Sequence, residues 1–293
     1  MRVSVPPQFN LLALGARIQP QGGELLAARA HRMSSRARLE KSFSVSGVRP
    51  IGSHARGTAI RWYSDLDTMV IMRKAEVMRS GKLVSSDTLL RRILDDLGER
   101  YPASTVYKDG LAAVIEFGGS KQSLDIVPGI FVRFNAGRPV FLIPDGMGGW
   151  FESSPQVHDR YFEQAHERSG NKLAKVSQLL KWWKHARTPS LPIHSFYIDM
   201  VLASCGICLP AKTYASCLRD FYRVLKDGSC GALTDPCGIA GDIRSTDTEV
   251  QRQFLLKAAE YAAFHADVAL AAEARRDFEE ANRQWGLVFN GEY

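Results

Sequence analysis

Three aspartates carry the strongest chemical signal in this chain. Asp65 and Asp67 stand one residue apart in Ser64-Asp65-Leu66-Asp67, and Asp67 opens the apolar run Thr68-Met69-Val70-Ile71-Met72. In an extended strand, side chains two apart point to one face, so both carboxylates would meet at one place. Like charges held that close repel, and a cation between them relieves the repulsion. Hard oxygen ligands favour Mg²⁺ or Mn²⁺. Asp125 lies in a second apolar run, Ser123-Leu124-Asp125-Ile126-Val127-Pro128-Gly129, which a neighbouring strand could bring to the same point. Three carboxylates suit a two-metal centre, in which Asp65 and Asp67 would bind both ions and Asp125 would complete the one that lowers the pKa of an attacking hydroxyl. Upstream, Gly52-Ser53 offers backbone N–H groups and a hydroxyl to the β- and γ-phosphates of a triphosphate. The chemistry that uses all these parts is nucleotidyl transfer with loss of pyrophosphate.

Each part alone is ordinary, since Asp-x-Asp also ends solvated strands and Gly-Ser also makes plain turns. Order and spacing give the set its meaning. Gly52-Ser53, Arg56-Gly57-Thr58-Ala59-Ile60 and Ser64-Asp65-Leu66-Asp67 resemble the signature of the polymerase-β-type nucleotidyltransferases. More narrowly, they resemble the bacterial relatives of cyclic GMP–AMP synthase and oligoadenylate synthase (the CD-NTases), which make oligonucleotide second messengers in anti-phage defence. Leu124-Asp125-Ile126-Val127-Pro128-Gly129 is similar to the third-carboxylate strand of that group.

The resemblance implies a Mg²⁺-dependent (or Mn²⁺-dependent) enzyme that joins NTPs into a cyclic oligonucleotide. Its substrates would be ATP and a choice among GTP, UTP and CTP, with effector and regulatory proteins as partners. It also implies roles for residues further along. Lys172 and Lys175 resemble the lysines of a helix that reaches the triphosphate. Ser195-Phe196-Tyr197 resembles a serine–aromatic pair that meets the triphosphate and stacks on the donor base; Phe196 stands where tyrosine is usual, so either ring is a candidate. Asp235-Pro236 resembles a loop bordering the nucleotide, although Asp-Pro also starts routine turns. Arg56 either contacts phosphate or braces the turn, and His54 reads as a spectator. A template-independent RNA nucleotidyltransferase, of the CCA-adding or poly(A) type, is the alternative. It would call for an added RNA-binding domain or a longer basic tail than this C-terminus supplies.

Composition is consistent with these readings without selecting among them. The chain has 293 residues, enough for one large or two modest domains. Its net charge of +7 is dispersed among 31 acidic residues, which suits polyanionic nucleotides but does not argue for stable nucleic-acid binding. No apolar run approaches membrane-spanning length and no compact signal core opens the chain, so the expected location is the cytoplasm. Five cysteines fall in the last third. Cys205 and Cys208 have a zinc-like spacing, but no second close pair follows, and scattered buried thiols are the simpler reading.

The positioning elements follow from periodicity. Helix is expected over residues 7–44, interrupted around Pro20 and Gly22-Gly23, with Arg29, Arg32, Arg36, Arg38 and Lys41 on a solvated face. A strand at 48–51 feeds the Gly52-Ser53 turn, and residues 73–82 read as a polar connection. A helix starts at Ser86-Asp87 with the stripe Leu89, Leu90, Ile93, Leu94, Leu97. Strands follow at 105–107, 112–117, 124–127 and 139–144, with turns at Asp109-Gly110 and Gly118-Gly119. From Ser153 helices dominate: one or two over 157–186, then 194–204, 212–225, and a last Ala-rich one from 245 past 282. The fold class is α+β, a polymerase-β-like nucleotidyltransferase core of mixed sheet and helices with a long N-terminal helix, packed on a C-terminal helical bundle. Residues 1–150 would form the catalytic core and 151–293 a helical domain completing the nucleotide cleft.

Overall fold

The strand that carries Asp67 buries its two faces against different partners, and that alternation builds the sheet. The computed structural model describes residues 5–117, 123–135, 137–239 and 241–293. The chain forms α1 (Pro7–Ile18), α2 (Gly22–Ser42), β1 (Val45–Pro50), α3 (Gly52–Ala55), β2 (Leu66–Met72), α4 (Lys74–Val77), β3 (Met78–Arg79), β4 (Lys82–Leu83) and α5 (Ser86–Arg100). Then come β5 (Thr105–Asp109), β6 (Ala112–Glu116), β7 (Ser123–Asn135), β8 (Arg138–Pro144) and β9 (Trp150–Ser153). The helical part holds α6 (Pro155–Arg168), α7 (Leu173–His185), α8 (Ser195–Ser204), α9 (Tyr214–Asp227), β10 (Leu233–Thr234), β11 (Asp242–Ile243), α10 (Glu249–Ala274) and α11 (Phe278–Val288).

Two compact units result, Pro20–Asp159 and Met1–Gln19 with Arg160–Tyr293. This differs from a single cut near residue 150. The first helix goes with the C-terminal bundle because Leu11, Leu14 and Ile18 are buried and α1 packs on α7, α9 and α11.

In the sheet unit the strand order is β1-β2-β7-β6-β5, with β8 beside β7 and β9 beside β8. The β2–β7 pair is parallel and the others are antiparallel, so the sheet is mixed. Leu66, Val70, Leu124, Ile126, Ala113 and Ile115 bury one face against α2 and against Leu89, Leu90, Ile93 and Leu97 of α5. The other face carries Met69, Ile71, Val127, Ala112 and Val114, clustered with Ile51, Phe141 and Ile143. The predicted α5 stripe is therefore the stripe that is buried. Its cap sits one residue earlier than the sequence suggests, with the Thr88 N–H donating to Ser85 Oγ at 3.2 Å.

Several boundaries moved for identifiable reasons. Strand β7 runs to Asn135 rather than 127, because β2 and β6 pair with its first part and β8 takes over from Ile130. Residues 73–82 hold a short helical turn, and Met78–Arg79 pairs with Lys82–Leu83. Strand β9 was missed because only four residues pair. The expected Gly118-Gly119 turn lies outside the described residues.

The helical unit also departs from expectation at its end. The last helix is two, because Arg276 adopts a left-handed conformation (φ 62°) and Asp277 caps α11 by accepting from the Glu280 N–H at 3.1 Å. In α7, Lys181 is buried. Its ammonium lies 3.1 Å from Asp199 of α8, whose other oxygen accepts from Ser177 Oγ at 2.5 Å. All five cysteines are free thiols, Cys205 exposed and Cys208, Cys217 and Cys230 buried. Among the described residues no helix is long and apolar enough to cross a membrane.

Removing one partner of a buried ion pair strands the other charge in a poorly solvating interior. Lys181→Met should therefore lower unfolding free energy by about 3–5 kcal/mol in urea denaturation, and Lys181→Met/Asp199→Leu should recover most of that loss.

Candidate active site

Strand β1 runs antiparallel to β2, with Pro50 opposite Thr68, and the chain turns back directly over the strand it has just paired with. The Ile51 N–H donates to the Asp67 carbonyl at 3.1 Å. Gly52 follows with φ +70°, and a Cβ placed there would lie 2.0 Å from Asp67 Oδ2. Only glycine tolerates both the left-handed backbone and that approach. Gly52 and Ser53 open the single helical turn α3, and the loop closes on it through a Thr58 N–H to Ser53 carbonyl bond of 2.9 Å. Arg56 takes the bracing role: its guanidinium, only 6% exposed, pairs with Asp159 at 2.9 Å. Asp159 was not singled out in the sequence, since nothing in its spacing marks it as an ion-pair partner.

The parallel register sets Asp67 directly opposite Asp125. Paired residues on adjacent strands point to the same face, and the strands are about 4.8 Å apart. Ser123, two residues before Asp125 on that face, ties in the third carboxylate. Its Oγ lies 2.7 Å from Asp65 Oδ1 and 2.8 Å from Asp125 Oδ1. Asp65, Asp67 and Asp125 thus lie together at one end of the sheet. One hydroxyl has one proton to donate, so it cannot satisfy both carboxylates when both are ionised. Burial first, then the Asp65 charge, push the Asp125 carboxyl up to about 6, although the Ser123 hydrogen bond pulls the other way. This all-oxygen, charge-crowded donor set fits a hard divalent cation.

Arg32 is a residue the sequence reading misplaced. Rather than lying on a solvated face, it is half-buried, and its Nε donates to Thr68 Oγ1 at 3.1 Å. Burial lowers its pKa, while the Asp67 charge raises it. It is a fixed cation serving the acidic end of β2.

The remaining candidates belong to the helical unit. Lys172 Nζ donates to the Lys212 carbonyl and lies 5.8 Å from the Tyr214 ring. Lys175 Nζ donates to the Gly15 carbonyl at 3.3 Å and Gln19 Oε1 at 3.1 Å, tying α7 to α1. Ser195 and Phe196 are half-buried in the first turn of α8. Tyr197 is buried and its hydroxyl donates to the Gly231 carbonyl at 2.8 Å, a core role that leaves Phe196 as the more accessible ring. Asp235 accepts the Cys237 and Ile239 N–H groups at 2.9 Å each, which makes it a turn-forming residue.

The mixed sheet backed by helices, with its glycine turn over a strand-borne carboxylate, matches the polymerase-β-like nucleotidyltransferase fold. Residues 5–165 match the Second Messenger Oligonucleotide or Dinucleotide Synthetase domain. The chain belongs to that family, and the resemblance to the bacterial relatives of cyclic GMP–AMP synthase holds. It is 24% identical over 251 residues to a probable cyclic nucleotide synthase of Bacillus cereus (strain VD146), covering 81% of this chain and 73% of that protein. It is 28% identical over 199 residues to the cyclic AMP-AMP-AMP synthase of Escherichia coli (strain MS 115-1), covering 62% of this chain and 57% of that one. The solved structure of E. coli MS115-1 CdnC with ATP superimposes with a TM-score of 0.75 at 19% identity, covering 99% of each chain. The chain is accordingly an enzyme of the cyclic nucleotide synthase class, a nucleotidyltransferase.

Gly52→Ala should push the Asp67 carboxylate out of place, so synthesis collapses while the circular dichroism spectrum is retained. Asp125→Asn reports the burial and charge crowding of that carboxyl without any substrate. A carboxyl whose folded pKa is raised destabilises the fold increasingly as pH climbs from 3.8 to about 6, and by a constant amount above that. The Asn variant should therefore melt higher than wild type above pH 6, with the gap shrinking toward pH 4. Excess Mg²⁺ should narrow the gap at pH 8 by binding wild type more tightly.

Proposed function

We propose that the chain joins nucleoside triphosphates into a cyclic oligonucleotide second messenger, in a divalent-metal-dependent reaction that releases pyrophosphate. The observation that carries this reading is the meeting of Asp65 and Asp125 on one hydroxyl, Ser123 Oγ, with Asp67 in register beside them. Asp65, Asp67 and Asp125 would hold the cations, Mg²⁺ or Mn²⁺. Bound there, the ions supply neutralisation of the triphosphate and a lowered pKa for the attacking hydroxyl.

The protein's own part is to orient and neutralise. Gly52 keeps the Asp67 carboxylate seated, and Ser53 with the neighbouring N–H groups holds the terminal phosphates. In the reaction the sugar oxygen bonds to the α-phosphorus, the α–β bridging bond breaks, pyrophosphate leaves and the hydroxyl proton passes to solvent. Ser195, Phe196, Lys172 and Lys175 are proposed nucleotide contacts, with Phe196 rather than Tyr197 as the stacking ring. The bond from the Tyr197 hydroxyl to Gly231 supports that choice. We assign ATP as one substrate, and a role in anti-phage signalling through an effector that reads the product.

Incubation with the four NTPs and Mg²⁺ should yield phosphatase-resistant oligonucleotides, and EDTA should abolish them. Asp67→Asn should reduce the rate by several orders of magnitude, because an ion loses a ligand. Normal turnover by that variant would overturn the assignment. Products formed only with added RNA would favour the RNA nucleotidyltransferase instead.

A further inference from the structure

The face of the sheet that carries Asp67 and Asp125 continues past them. Asp125 is opposite Val114 of β6, and Val114 is opposite Tyr107 of β5. One row over, Ser123 is opposite Glu116, and Glu116 is opposite Thr105. Tyr107 and Glu116 therefore project from the same face as the three aspartates, Glu116 next to Ser123 and Tyr107 two strands beyond Asp125. Val106, between Thr105 and Tyr107, packs into the core on the opposite face, as this alternation demands. The Tyr107 hydroxyl donates to Glu116 Oε1 at 2.8 Å, yet the side chains are not sequestered: Tyr107 is 39% exposed and Glu116 is exposed. Asp109, two residues along β5, shares the face, and its charge is felt at Asp125.

This row has a direction. At the β1 end stands the Gly52–Ser53 turn with its N–H groups and hydroxyl. The three aspartates occupy the middle, and the far end is an aromatic ring flanked by Glu116 and Asp109. A triphosphate is drawn to the first end and repelled from the last. The far end disfavours phosphate and offers a ring to stack on and a carboxylate to accept N–H donors, which is what the flat, uncharged base of a nucleotide brings. This end also lies on the Asp125 side, where the attacking hydroxyl is expected.

We propose that Tyr107 and Glu116 form the subsite for the base of the acceptor nucleotide, the ring stacking on the base and Glu116 accepting from its amino-bearing edge. The inference rests on the nucleotidyl-transfer reading above. The Tyr107 bond fixes one carboxylate oxygen and leaves Oε2 aimed by the same constraint, so the acceptor side chain is ordered before the base arrives. Adenine, guanine and cytosine offer an exocyclic amino group. Uracil offers a single ring N–H between two carbonyls, which a carboxylate repels, and it should be the poorest acceptor.

The test separates acceptor from donor. A 2′,3′-dideoxy NTP can donate but not accept, and α,β-methylene ATP, GTP, CTP and UTP can accept but are not cleaved. With these pairs, Glu116→Gln should raise the acceptor KM for amino-bearing bases by about tenfold and flatten their advantage over uracil. Tyr107→Ala should raise the KM of every acceptor by about tenfold, and Tyr107→Phe, which keeps the ring, by less. Donor KM and kcat at saturating acceptor should stay near wild type. Unchanged acceptor KM and base order in Glu116→Gln and Tyr107→Ala, with wild-type melting temperatures, would overturn the subsite while leaving the reaction assignment intact. An effect on donor KM alone would overturn it equally. If wild type itself forms no product from any pair, the nucleotidyl-transfer reading fails first and takes this one with it.

Discussion

Everything near the acidic end of the sheet answers to one constraint: strands β2 and β7 run parallel with Asp67 and Asp125 in register. Two carboxylates on adjacent strands of a sheet repel, and no sequence-local rearrangement can separate them without shifting a whole strand. The register is held instead by the reverse face. Leu66, Val70, Leu124 and Ile126 are locked against α2 and α5, and a slip by one residue would turn each of them toward the acidic face. The hydrophobic effect on one side of the sheet thus enforces an electrostatic cost on the other.

The surroundings of the aspartates are shaped by that cost. Ser123 offers one proton to two carboxylates, Gly52 clears room for the third, and Arg32 places a positive charge near the end of β2. None of these removes the crowding, and burial first, then the Asp65 charge, hold the Asp125 carboxyl up at about 6. The cations proposed to bind there would relieve that crowding. The buried Lys181–Asp199 pair is the contrasting case. There opposite charges meet inside the protein and settle the packing of α7 on α8 without any external partner.

Much of the architecture was legible because it rests on short-range periodicity. The α5 stripe, the Asp67 and Asp125 strands, the helix–strand order and the helical C-terminal half all follow from spacing that a single segment displays. Failures came where a segment's state depends on a distant partner. Residues 128–135 of β7 are strand because β2 pairs as far as Ile130 and β8 from there on, and β9 exists only as an edge to β8. Arg32 looked like one more exposed arginine until β2 came to lie beside its helix. The break between α10 and α11 turns on one left-handed residue, Arg276, whose side-chain chemistry does not advertise it.

For the site itself, residue types and spacing by themselves determined the candidate groups: three carboxylates, a glycine–serine turn and two strands able to carry them. Family membership was also written there, since the motif is local and contiguous. What only the tertiary structure decided is which groups share a face and which are spoken for. Pairing of β2 with β7 joined Asp67 to Asp125 across a wide sequence gap, and the same sheet brought Ser123, Glu116 and Tyr107 onto that face. Packing claimed Arg56, Lys181 and Tyr197 for ion pairs and core contacts. The reason is physical: a side chain's type sets what it can do, while strand register and burial, set by contacts far along the chain, decide what it faces.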